Sequence, residues 1–399
     1  MAKAKGHESH RIISILSVSQ GLYLSSMSID LTVTALAGAS LAPNAVLSTL
    51  PMAAISVGSL IAAPFASRIM ARFGTKPTLI TGAAMAVLGG LLSWTAMTRG
   101  IFPLLCLGTF AVGIYQAIAN YYRYLAADSR PGRESQSVAL VLSAGVVAAI
   151  LGPLIASATS TLLTPLYAAS YLAVSALGLG AMGTLAMLPH HDGPGAAGAD
   201  AGPEPGQTPT VSIAGLFRRP GFLTGTLVSA TGCFAMALVM SGAPLELDHH
   251  LHVTEAARTF AMQLHMVGMY GPMLVLPVLA MRFSTLTQTW AGILLGVAGL
   301  LIGLVGNAPT ITITLLLIGI SWAITYATGS TLLTLSYTES ERRVARGIGE
   351  FFPVFGLAAG SLLAGPMITE AGWASLSIAC TAVLVTAAAV AFAYRRKLA

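Results

Sequence analysis

Along this chain, apolar residues neither alternate nor keep to a single helical stripe. They fill runs of about 20 residues, the length that crosses the hydrocarbon of a bilayer as a helix. Twelve runs meet this length, at 12–38, 44–67, 77–97, 102–124, 137–160, 165–188, 222–243, 256–280, 287–306, 309–335, 347–368 and 372–394. Each predicts a helix, because a backbone in hydrocarbon must satisfy its own N–H and C=O groups. The longest polar interruption, 190–220, contains HHDGPGAAGADAGPEPGQTPT and reads as a flexible linker. The expected fold is an all-α integral membrane protein of twelve transmembrane helices. These form two pseudo-symmetric six-helix bundles, 1–189 and 221–399, joined by a cytoplasmic linker at 190–220.

Composition sharpens this picture. Charged residues are 9% of the chain and hydrophobic ones 55%, against about 25% charged in an ordinary soluble domain. So few charges cannot cover a water-facing surface, so lipid is an expected partner. The net charge of +6 is spread over short loops, which argues against a nucleic-acid surface. Cys106, Cys233 and Cys380 lie inside apolar runs and give neither a disulfide framework nor a zinc-ribbon spacing. The apolar run after Lys3 and Lys5 lacks a small-residue cleavage site and reads as a first span. No phosphate-cradling loop is present, nor a nucleophile with a base, so the chain is not expected to be an enzyme. Transport energy would come from an ion or substrate gradient, or from trapping after entry. With both termini placed in the cytoplasm, all basic residues but Arg99 and Arg258 fall at cytoplasmic ends.

The two halves repeat. ADSRPGRESQSVALVLSAGVVAAILGP enters the fifth run and TESERRVARGIGEFFPVFGLAAGSLLAGP the eleventh. Matching Gly152-Pro153 to Gly365-Pro366 sets Arg133 on Arg346 and Asp128 on Glu341 without a gap. ARF at 71–73 answers MRF at 281–283. Over nearly its whole length the chain resembles the major facilitator superfamily. Ser67-Arg-Ile-Met-Ala-Arg-Phe-Gly-Thr-Lys76 is similar to that family's signature loop, retaining Arg68, Arg72, Gly74 and Lys76. It departs from the pattern at Ser67, Ala71 and Thr75. Gly145 to Pro153 resembles the family's fifth-helix Gly-Pro motif. The resemblance implies parallel six-helix repeats around a midplane site and alternating access.

The candidate chemistry is soft. Cys233, Met236 and Met240 share one face of the seventh predicted helix, and His265 and Met269 share one face of the eighth. At 1.5 Å per residue, Met236 and Met240 lie roughly 20–27 Å from the cytoplasmic start of their helix. His265 and Met269 lie roughly 13–20 Å from the external start of theirs. The sets therefore overlap in depth, and consecutive antiparallel helices can face each other. Met262, Met266 and Met273 are close by in sequence. Thioether, thiolate and imidazole ligands suit Cu(I), and thioethers keep an empty site neutral in the membrane. Against this stands a plainer reading: methionine is a common filler of apolar gaps, and chance alone can place one MxxxM. The two motifs in this order resemble the signature of the CcoA-type copper importers. That resemblance implies copper import across the bacterial inner membrane to supply cytochrome oxidase assembly. Copper is then expected as transported substrate rather than permanent cofactor, with a cytosolic copper acceptor as a partner and the carrier a monomer. Riboflavin transporters belong to the same broader group.

Other residues leave alternatives open. His249, His250 and His252, with Glu246 and Asp248, follow the seventh helix and either collect metal outside or form a solvated loop. Asp30 in the first span is a coupling site or a satisfied polar contact. Arg123, in NYYRY, either binds an anionic solute or snorkels to the interface. Arg72 and Glu350 are candidates for gating. Cys380 is a relay thiol or a small buried hydrophobe. A proton-coupled carrier of a riboflavin-like or drug-like solute, using Asp30 and Arg123, is the rival function. A membrane-bound metal sensor without flux is the third.

Overall fold

In a computed structural model the chain is helical throughout the described residues, which are 2–130, 134–189, 212–338 and 341–395. Thirteen α-helices are named in chain order: α1 Ala2–Leu41, α2 Leu50–Phe73, α3 Thr75–Arg99, α4 Phe102–Ala119, α5 Tyr122–Asp128, α6 Glu134–Ser160, α7 Ala168–Ala186, α8 Ile213–Phe217, α9 Pro220–Leu245, α10 Glu255–Ala280, α11 Thr285–Gly303, α12 Ala308–Thr334 and α13 Arg342–Ala393. The predicted linker falls mainly in 190–211, outside the described residues; α8 and the start of α9 follow it.

Helix ends follow local chemistry. Asn44 caps a 3₁₀ turn at Ala45–Leu47. Thr254 and Ser284 accept backbone N–H groups at the starts of α10 and α11. Asn307 and Thr310 close a capping box on α12. Each such cap satisfies an orphan N–H of a first turn.

Among the described residues, ten helical stretches are long and apolar enough to cross a membrane, one of them, Gly347–Ala393, being 47 residues long; this count does not confirm the twelve spans expected. The predicted eleventh and twelfth spans run together in α13, whose only break is Gly372, at φ 75°. The predicted eighth span is α10, which carries Glu255, Arg258, Gln263 and His265 in its first half. The predicted fourth span is also interrupted, by a turn at Asn120–Tyr121 between α4 and α5.

The chain divides into two compact units, Met1–Leu41 with Ala54–Gly202, and Ala42–Ala53 with Pro203–Ala399. In the first, α1 packs on α6 and α7, and α3 packs on α4 and α7. In the second, α12 is the hub: α9, α10 and α11 all pack on it, and α9 also lies along α13.

The repeat extends further than its motifs. Continuing the ARF/MRF register backwards pairs 50–73 with 260–283 without a gap. Met52 then matches Met262, Val57 matches Val267 and Gly58 matches Gly268. The packing obeys the same register. A Cβ on Gly58 would lie 2.3 Å from the Phe110 carbonyl oxygen, and one on Gly113 would lie 2.0 Å from that of Ile55. A Cβ on Gly268 would lie 2.6 Å from the Leu316 oxygen, and one on Gly319 would lie 2.6 Å from that of His265. Both units thus use glycine to bring two helix backbones together. His265 occupies the repeat position of Ile55, and Met269 that of Ser59.

Candidate functional site

The soft residues of the second unit are all buried. Cys233 is 1% exposed, Met236 3%, Met240 4%, His265 0% and Met269 4%. A buried imidazole must find a partner for its N–H. His265 does so through Nδ1, 2.7 Å from the Leu315 carbonyl oxygen on α12. That carbonyl can only accept, so Nδ1 carries the hydrogen and Nε2 presents its lone pair. Nε2 is buried and has no hydrogen-bond partner. One ring nitrogen tied to a carbonyl and the other left bare is the usual state of a metal-ligating histidine.

Contacts with α12 set the relative depths. Trp322 Nε1 donates to Cys233 Sγ at 3.2 Å. A Cβ on Gly232 or Gly225 would strike Thr325 or Gly329. α9 therefore runs antiparallel to α12, with Cys233 opposite Trp322. Leu315 is seven residues from Trp322, and Met240 is seven from Cys233. Both steps are about 10 Å along their helices, so Met240 lies at the level of Leu315 and of His265. One turn further along α12, Gly319 abuts Met269 N, which is the level of Met236. By this reckoning Met240 and His265 stand at one level along α12, and Met236 and Met269 at the next. This arrangement is organised by α12 packing against both helices, not by α9 lying directly against α10.

What this set can do is limited by its chemistry. Among the described residues, no group of three or more His, Cys, Asp or Glu side chains could hold a metal ion. Any ion held here would depend on thioether sulfur, which selects soft monovalent metals over hard cations.

The loop after α9 is a π-helical turn, Glu246–His250. His250 Nδ1 is 2.7 Å from Glu246. Asp248 pairs with Arg258, and His249 lies 3.6 Å from Asp248. His252 takes a left-handed backbone, at φ 49°. His249 and His250 thus go to different carboxylates, and among the described residues these side chains do not form a group that could hold a metal ion.

In the first unit, Asp30 is fully buried on α1. Its Oδ1 accepts from the Thr34 hydroxyl at 3.3 Å, which in turn accepts from Tyr171 OH at 3.3 Å. Oδ2 has no partner. Arg123 donates to Tyr124 OH at 3.1 Å and lies over that ring. Arg72 stands over Phe73. The Glu350 and Arg346 side chains and all of Arg133 lie outside the described residues.

Several participants carried no sequence signal. Leu315 and Trp322 act from α12 through a carbonyl and an indole in an otherwise plain apolar run. In the first unit Gln116 Oε1 is buried without a partner beside the buried hydroxyls of Tyr115 and Tyr122, although nothing in their spacing singles them out. Outside the spans, Arg219 grips Glu341 with two hydrogen bonds of 2.6 Å. With the Thr338 N–H at 2.9 Å, this pulls the Glu341 carboxyl down to about 2.

The sequence pattern of the Major Facilitator Superfamily matches residues 16–352. The chain belongs to that superfamily. It is a multi-pass membrane transporter, and its curated and structural relatives are likewise transporters. The Riboflavin transporter RfnT of Brucella anthropi is 27% identical over 372 residues, covering 92% of this chain and 91% of the relative. Two crystal structures share the fold. The human organic anion transporter MFSD10 (TETRAN) superposes with TM-score 0.68 at 16% identity, covering 96% of this chain and 99% of that one. A bacterial homologue of the human lysosomal transporter Spinster, inward-facing and occupied, gives 0.72 at 12% identity, covering 96% of each chain.

Proposed function

We propose that this superfamily member moves copper, as Cu(I), into the bacterial cytoplasm across the inner membrane, the direction resting on the resemblance to the CcoA-type importers. One observation carries the reading. His265 is fully buried, its Nδ1 is tied to Leu315, and its bare Nε2 sits at the depth of Met240 with Met269 one turn along. A buried lone pair without a donor forfeits a hydrogen bond, a cost of about 1–3 kcal/mol. A transiently bound soft cation recovers it. Met236, Met240, His265 and Met269 would hold the ion, with Cys233 a step deeper beside Trp322. Thioethers need no deprotonation, so binding and release involve no proton exchange at sulfur. Rocking of the two repeats would expose the ion to each side in turn, with release to a cytosolic acceptor.

The test is a binding titration of the purified full chain in lipid nanodiscs, with a chromogenic Cu(I) chelator as competitor. The reading expects one tight Cu(I) per chain, lost in His265→Gln. Equal retention of copper by wild type and variant would defeat it.

A second reading has its own support. The likeness to a riboflavin transporter favours a small organic solute. In the first unit, Asp30 Oδ2 and Gln116 Oε1 are buried without a hydrogen-bond partner, and the buried Tyr115 and Tyr122 hydroxyls lie against each other. Such groups suit a polar ring with hydroxyl substituents, with Arg123 nearby in sequence for an acidic group. Saturable uptake of riboflavin, abolished by Tyr122→Phe and indifferent to His265→Gln, would make this the function.

A further inference from the structure

We propose, building on the copper reading, that α10 carries the ion along a ladder of sulfur atoms: Met262, Met266, Met269 and Met273, with His265 as its nitrogen rung. At 100° per residue the four methionines fall within an arc of about 60°. Their successive axial steps are about 4.5–6 Å, short enough for one flexible thioether to receive an ion before the previous one lets go. Met262 and Met266 are 0% exposed and Met269 is 4% exposed; Met273 is half-buried. His265 lies about 40° to one side of Met269 on the same helix, with Nε2 bare.

Two facts separate this stripe from ordinary filling. It is not the surface that α10 presses on α12. That contact centres on Gly268, whose Cβ would meet Leu316, and Gly268 is about 130° round the helix from the stripe's centre. The internal repeat supplies the second. Ile55, Ser56, Ser59 and Ala63 occupy on α2 the positions of His265, Met266, Met269 and Met273, around the same glycine approach. Only Met52 keeps sulfur, opposite Met262. The frame therefore builds well without methionine at three of these four positions, and the sulfur at Met266, Met269 and Met273 has been placed on the second half alone. Thioethers in series bind Cu(I) or Ag(I) without competing for hard cations, and none of them changes charge as the ion passes.

Silver(I) is the probe, because it is soft and does not change oxidation state. Proteoliposomes holding the full chain are exposed to Ag(I), and trapped silver is measured over time. Met262→Leu, Met266→Leu, Met273→Leu and the triple variant are compared with wild type; leucine conserves volume, so packing cost stays small. The ladder predicts initial rates at least about tenfold lower in the triple variant, a barrier of about 1.4 kcal/mol. It also predicts partial losses in each single variant, unchanged melting temperatures, and one tight Ag(I) still bound at the Met236–Met240–His265–Met269 set. Should the triple variant not fold, the half-buried Met273→Leu alone decides, with a rate below wild type expected. Wild-type flux with unimpaired ladder variants overturns the ladder and leaves the copper reading standing. Absence of silver flux in wild type overturns both.

Discussion

Gly319→Ala is a small change with a calculable consequence. The new Cβ would lie 2.6 Å from the His265 carbonyl oxygen, 3.1 Å from Met269 N and 3.2 Å from the Gly268 carbonyl carbon. All three atoms are backbone, so no rotamer change relieves the contact. To restore an ordinary separation of about 3.5 Å or more, α10 must retreat from α12 by most of an ångström. Alanine's better helix propensity gives back about 0.5–1 kcal/mol, while overpacking costs about 1–3 kcal/mol, so a modest net loss of stability is expected. The functional loss should be larger. The same retreat stretches the 2.7 Å bond from His265 Nδ1 to Leu315, and disturbing such an outer contact lowers metal affinity about 10–100-fold. The assay pairs thermal melting in detergent with Cu(I) titration. Gly183→Ala is the control, since no atom lies within 4 Å of its added Cβ, and it should melt no lower than wild type. If Gly319→Ala bound Cu(I) as wild type does and melted unchanged, the claim that α12 positions His265 and Met269 would be refuted.

Further outcomes follow from the same geometry. Met236→Leu and Met240→Leu keep volume and should shift stability by less than about 1.5 kcal/mol, while lowering Cu(I) affinity in the chelator competition. Trp322→Phe removes the indole donor to Cys233 Sγ; in the same titration the affinity change should be smaller than for His265→Gln, because Cys233 lies a step away from the proposed set. The Arg219–Glu341 pair makes a pH prediction. Its carboxyl is held at about 2 rather than the usual 4.5, so its stabilisation is complete above about 4.5 and is lost as pH falls through about 2. Glu341→Gln should therefore melt below wild type at neutral pH, with the gap closing between pH 4.5 and 2; a constant gap would contradict the assignment.

Most of the architecture was readable because a membrane span writes itself as length and hydropathy. The exceptions have physical causes. α10 carries Glu255, Arg258, Gln263 and His265 in its first half, and the last two expected spans are joined in α13, where Gly372 takes a non-helical backbone. The soft residues could be named from one-turn spacings on α9 and α10. Their common frame could not, since it depends on α12, where a carbonyl and an indole do the positioning. The repeat was more informative than its motifs: ARF and MRF fixed a register that, carried back to Gly58 and Gly268, contrasts His265 with Ile55. Burial is what brings out Tyr115 and Tyr122, two phenols that pattern alone leaves among ordinary aromatics.

The most direct measurement sets the two substrates side by side. Uptake of radiolabelled copper and of riboflavin is followed in cells lacking their own carriers for both, expressing wild type, Met240→Leu or His265→Gln at matched membrane levels. The account predicts copper accumulation by wild type, its loss in both variants, and no riboflavin uptake above the empty strain. Riboflavin uptake by all three proteins, with copper at the empty-strain level, would contradict it and place the function with the buried oxygens of the first unit.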